Sequence, residues 1–67
     1  MLVSIEKIQT EVARKAMTTG EFLRAAEVPK GTWYSIKRSK RANTSTIGKI
    51  ANALKVDVLD IIIHEEV

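Results

Sequence analysis

Apolar residues recur at helical steps along almost the whole chain, and turn signals cut the pattern into five pieces. Ile5, Ile8 and Val12, with Ala16 next, fall at three- and four-residue spacing, so one face of that segment is apolar. Ser4 precedes it as an N-cap residue, Glu6 lies near the positive helix end, and Arg14 and Lys15 lie near the negative one. A first helix is predicted over residues 4–16. Thr18-Thr19-Gly20-Glu21 has the form of a capping box, in which the threonine hydroxyl accepts the Glu21 amide proton and the Glu21 carboxylate reaches back to the Thr18 amide. Phe22, Leu23 and Ala26 then make a short apolar stripe. The second helix, over 19–26, is only about two turns long and depends on tertiary packing.

Pro29 ends that helix, because it disfavours helical backbone at Val28, and it suits the opening of another, because its φ is already helical and its missing donor would have no partner. The third helix is predicted over 30–38, with Trp33 and Ile36 inward. Residues 39–43 form a polar, basic loop, and Asn43 or Thr44 caps the next helix. Ile47, Ile50, Ala51 and Leu54, at i, i+3, i+4 and i+7, predict a fourth helix over 44–54. After Lys55-Val56, Asp57 and Asp60 favour the start of a fifth helix, over 58–63, and the tail from His64 is expected to fray. The expected architecture is therefore an all-α, five-helix single domain over residues 1–67.

The fifth segment carries more apolar surface than one core-facing side requires. Leu59 and Ile62 are expected to complete the core, leaving Val58, Ile61 and Ile63 as a candidate homodimer interface, since exposed apolar patches mark contact surfaces. The alternative is that Leu2-Val3 folds over these side chains, or pairs as a strand with the isoleucine-rich end, and leaves a monomer.

Charge adds a direction to this picture. The net charge is only +3, but no acidic residue occurs between Val28 and Val56, a stretch holding Lys30, Lys37, Arg38, Lys40, Arg41, Lys49 and Lys55. A one-signed segment attracts polyanions, and nucleic acid is the usual one. With no cysteine, the chain has neither disulfide nor thiolate zinc ligand. The N-terminal residues lack a basic region ahead of an apolar one, and no run approaches the roughly 18 apolar residues of a membrane span, so a cytoplasmic protein is expected. The inventory argues against an enzyme. The one histidine, His64, lies in the tail, and His64-Glu65-Glu66 would make a poor metal site because adjacent residues are not rigidly held. No nucleophile–base pair or glycine-rich phosphate cradle is visible, so no cofactor, metal or small-molecule substrate is expected.

Two short helices joined by a tight turn, the second followed by a basic loop, is the layout of a helix-turn-helix. Phe22-Leu23, Val28, Thr32-Trp33-x-x-Ile36 and Ile47-x-x-Ile50-Ala51-x-Ala53-Leu54-x-Val56-x-x-x-Leu59 resemble the Cro/repressor (XRE) family of phage and bacterial regulators. The chain departs from that family at several positions. Glu27 stands where the turn usually has glycine, Pro29 where the third helix usually opens with serine or threonine, and Ser39 at the loop glycine. Lys37 and Val12 stand where the family usually pairs a glutamate with an arginine, so the pair is absent as a unit.

The resemblance implies that the third helix lies in the major groove of operator DNA, bound by a dimer that represses or regulates transcription. Its base-reading candidates here are Pro29, Lys30, Gly31, Tyr34 and Ser35. Lys30 has the best chemistry, because an ammonium donates to guanine O6 and N7. Phosphate contacts are expected from Thr18 and Thr19, at a helix N-terminus, and from Arg38, Lys40, Arg41, Asn43 and Thr44, with Arg14 and Lys15 as weaker candidates. Two other readings compete: a protein-binding adaptor or antitoxin-like module on the same fold, and a nucleic-acid binder without sequence preference.

Overall fold

The computed structural model describes residues 1–63, so the expected frayed tail, and His64-Glu65-Glu66 with its expectation of a poor metal site, lie outside the described residues. Four α-helices follow one another: α1 (Ile5–Arg14), α2 (Thr19–Ala26), α3 (Lys30–Ser39) and α4 (Thr44–Leu54), and then a single 3-10 turn, Val58–Asp60. Each begins as its local chemistry requires. The Ser4 hydroxyl accepts the Lys7 amide at 3.2 Å, Thr18 and Glu21 form the reciprocal capping box, and Asn43 rather than Thr44 caps α4, its Oδ1 accepting from the Thr46 amide at 2.7 Å.

The α-helices end in left-handed residues, and none of these is glycine. Ala16, Glu27, Lys40 and Lys55 have φ of 54°, 58°, 60° and 55°. At three of these ends the following amide closes the turn: Met17 onto the Val12 carbonyl, Val28 onto Leu23 and Val56 onto Ala51, at 3.0, 2.9 and 3.1 Å. The same three residues tuck their apolar side chains inward, Val28 fully and Met17 and Val56 in part. Burial at that position offsets the roughly 1 kcal/mol or more of strain that a side chain suffers in left-handed backbone. α1 consequently stops at Arg14, two residues before the apolar pattern predicts, and Ala16 is exposed in the turn.

The core is built from Ile8 of α1, Phe22, Leu23 and Ala26 of α2, Trp33 and Ile36 of α3, and Ile47, Ile50, Ala51 and Leu54 of α4. α4 packs against both α2 and the 3-10 turn. Phe22 and Trp33 meet edge to face at 5.4 Å, the arrangement favoured by aromatic quadrupoles.

The C-terminal segment corrects the expected fifth helix. The Asp57 carboxylate accepts the Leu59 amide at 2.9 Å and Asp60 accepts the Asp57 amide at 3.1 Å, which closes one tight turn and no more. Beyond it Ile62 lies opposite Val3, and Leu2 opposite Arg41, in isolated antiparallel bridges. The extended N-terminus thus lies between the loop after α3 and the chain end, with Val3 donating to the Lys40 carbonyl at 2.9 Å, Ser4 to Ile61 at 2.8 Å and Ile63 to Leu2 at 3.0 Å. This is the alternative in which Leu2-Val3 pairs with the isoleucine-rich end.

Burial shifts with it. Ile61, expected at an interface, is 0% exposed, and Val3 beside it is equally buried; Leu59, expected in the core, is 58% exposed. Ile61, in the turn that follows the 3-10 segment, and Ile62, at the bridge to Val3, both enter the core, and Ile63 is exposed. Val58 packs in part against the core.

Candidate nucleic-acid interface

α3 is held from behind and open in front. Trp33 and Ile36 anchor it, while Pro29, Lys30, Gly31, Tyr34 and Ser35 are all exposed. At 100° per residue, Gly31, Tyr34, Ser35 and Arg38 lie opposite the buried stripe, and Lys30 and Lys37 lie together along one flank, next to Trp33. Pro29 gives the helix no side-chain cap, and the first turn holds no acid. The amides of that turn therefore face outward beside Lys30, a local surplus of positive charge and hydrogen-bond donors.

Gly31 is not required by the fold. An added β-carbon there would meet nothing within 4 Å, and its φ is ordinary. The bare surface at this point is thus available to an approaching partner.

The second donor-rich area follows α3. Ser39 bends the chain: its hydroxyl donates to the Ser35 carbonyl at 2.9 Å and accepts the Arg41 amide at 3.2 Å. Lys40 takes the left-handed position, and the loop is then pinned from outside by Met1 and Val3. Arg38, Lys40 and Arg41, with Asn43 and Thr44, are exposed along this bend. Because Asn43 Oδ1 is committed to the α4 cap, only its amide NH2 is left for an anion. Sequence reasoning missed the role of Ser39; the signal available was a serine at a loop position where the resembling family has glycine.

Thr18 and Thr19 begin α2, as predicted, but the capping box changes what they offer. The Thr18 amide is already donated to Glu21 Oε1 at 2.8 Å. The Thr18 amide bond, then its hydroxyl bond, and more weakly the charge of Arg24, hold the Glu21 carboxyl below its ordinary pKa. An outside anion is left with the amides of Thr19 and Gly20. Arg14 and Lys15 are likewise engaged, both on Glu11, at 3.3 and 3.2 Å.

Val12 and Lys37 border the same notch between α1, α2 and α3, so the two positions that depart together from the family pattern are spatial neighbours. Among the described residues no group of histidines, cysteines or carboxylates is arranged to hold a metal ion, and no helix is long and apolar enough to cross a membrane.

Comparison with curated proteins and with solved structures gives no match. The model of the Cro/C1-type HTH DNA-binding domain matches residues 7–66, which include every helix from the body of α1 to the 3-10 turn. The match covers the exposed third helix, its uncapped start and the basic bend behind it, and the chain belongs to the Cro/C1-type HTH DNA-binding domain family.

Proposed function

We propose that this protein is a sequence-specific regulator of transcription in the cytoplasm, which binds operator DNA as a homodimer with α3 in the major groove. The observation that carries the reading is the division of α3: one side is locked into the core by Trp33 and Ile36, while all five candidate base-reading residues are exposed. Lys30 reads guanine, Tyr34 meets a thymine methyl or a phosphate, Ser35 adds a weaker polar contact, and Pro29 and Gly31 keep the surface low enough for the groove. Arg38, Lys40, Arg41, Asn43, Thr44, Thr18 and Thr19 fix the protein on the backbone without choosing sequence.

The dimer part of the proposal moves to Leu59 and Ile63, which are 58% and 45% exposed, with Val58 beside them and Ile61 removed to the core. Two-fold symmetry then requires half-sites separated by about 34 Å or a multiple of it. Sedimentation at micromolar concentration tests this part, and a monomer removes it.

The experiment for the whole reading is selection of duplexes from a random pool. An enriched motif is expected, with Lys30→Ala relaxing choice at one base pair by about 1–3 kcal/mol. No enriched motif overturns operator reading. Uniform weakening of all sequences by Lys30→Ala would instead support binding without sequence preference.

A further inference from the structure

The notch between α1, α2 and α3 has a volume of about 270 Å³ and holds one charged residue, Lys37. Its floor is apolar, with Val12 and Phe22, and its polar rim is Gln9, Thr19 and Lys37. Among the described residues no acid borders it. The ion pairs among the described residues are those of Glu11 with Arg14 and Lys15, so Lys37 is not neutralised by a partner. Trp33 also borders the notch and is 2% exposed, and its indole N–H has no acceptor among the described residues. Among the described residues no fully buried side-chain nitrogen is left without a partner, so that N–H reaches solvent. Lys37 and Trp33 thus border a recess to which no described residue brings a negative charge.

We propose that Lys37 is a DNA backbone-phosphate contact, holding one phosphate over this notch beside Thr19. The inference rests on the DNA-binding reading above and adds a residue to it. Three features favour a duplex phosphate as the occupant. The notch joins the start of α2 to the flank of α3, the two elements of the helix-turn-helix. Lys37 lies two turns beyond Lys30 on the same flank, so it continues the line of a candidate base contact toward the edge of a groove. A compact ammonium suits a phosphate oxygen as a point charge, without the planar fork an arginine would need.

The competing possibility is that Lys37 lays its methylenes over the apolar floor and leaves its charge in water. Salt dependence separates the two. Affinity for an enriched duplex is measured by anisotropy across a series of salt concentrations for the unmodified chain and for Lys37→Gln, Lys37→Arg and Lys7→Gln. Lys7 is an exposed lysine that borders a different depression. Each phosphate contact contributes about 0.9 to the slope of log K against log salt on duplex DNA. Lys37→Gln is expected to reduce the slope by about 0.9, Lys37→Arg to restore it and Lys7→Gln to leave it unchanged. The preferred motif should be the same in all four. If the unmodified chain binds with a steep slope that Lys37→Gln does not alter, Lys37 touches no phosphate and this inference is overturned while the DNA reading stands. If the unmodified chain binds no duplex at all, both are overturned.

Discussion

Thr18 and Glu21 cap each other: the Thr18 hydroxyl accepts the Glu21 amide at 3.1 Å, and Glu21 Oε1 accepts the Thr18 amide at 2.8 Å. The pair fixes the start of the first helix of the helix-turn-helix, and it does so with a negative charge. A carboxyl whose pKa is lower in the folded chain than in the unfolded one adds stability above the unfolded value and loses it as pH falls through the folded value. The Thr18 amide and hydroxyl bonds place Glu21 in that class. Thermal unfolding should therefore show a loss of stability below the ordinary glutamate range. In Glu21→Gln that share of the loss should be absent, because a neutral carboxamide still accepts the Thr18 amide proton but does not titrate. Equal acid dependence in the two proteins would show that the box carries no linkage.

The cap itself is tested by Thr18→Ala. Removing an N-cap hydroxyl costs typically about 1 kcal/mol, and the two-turn α2 has little propensity to spare. A drop of that size in denaturant titration is expected.

Ile61 and Ile63 separate core from surface two residues apart. Ile61 is 0% exposed and Ile63 is 45% exposed. Ile61→Ala should cost about 2–5 kcal/mol, the usual range for a buried isoleucine, a large share of the total for a chain this small. Ile63→Ala should change monomer stability by no more than about 0.5 kcal/mol. Equal effects in a denaturant titration would contradict the burial of Ile61 beside Val3 and the exposure of Ile63.

Gly31 and Gly48 test whether open space on a helix is kept for DNA. Neither would bring a β-carbon within 4 Å of a neighbour, and both lie in helices at ordinary φ. Alanine at each should stabilise the fold by up to about 1 kcal/mol. On the proposed orientation, Gly31→Ala should also weaken duplex binding and Gly48→Ala should not. Binding that is unchanged by Gly31→Ala, measured on an enriched duplex, would move the groove away from that residue.

The four α-helices were legible because their signals are local. Spacing of Ile47, Ile50, Ala51 and Leu54, the Thr18-x-x-Glu21 box and Pro29 depend on neighbours within about one or two turns, and each marks a helix that is present. The basic bend after α3 was legible in the same way, as an acid-free run. Lys37 was visible as a departure from a family pattern but not as one edge of a notch, because its neighbours Gln9 and Thr19 lie far away in the chain.

Sequence alone therefore determined where the helices start, which side of α3 is buried, and that its outer side and the following loop are basic. Only the tertiary structure decided the fate of the ends. An apolar run such as Val58 to Ile63 satisfies helix and strand alike, and the choice depended on Leu2-Val3, which is remote in sequence but adjacent in space. Backbone pairing with that segment, together with the tight closure at Asp57 and Asp60, outweighed local helix propensity, and so placed Ile61 inside and Leu59 outside.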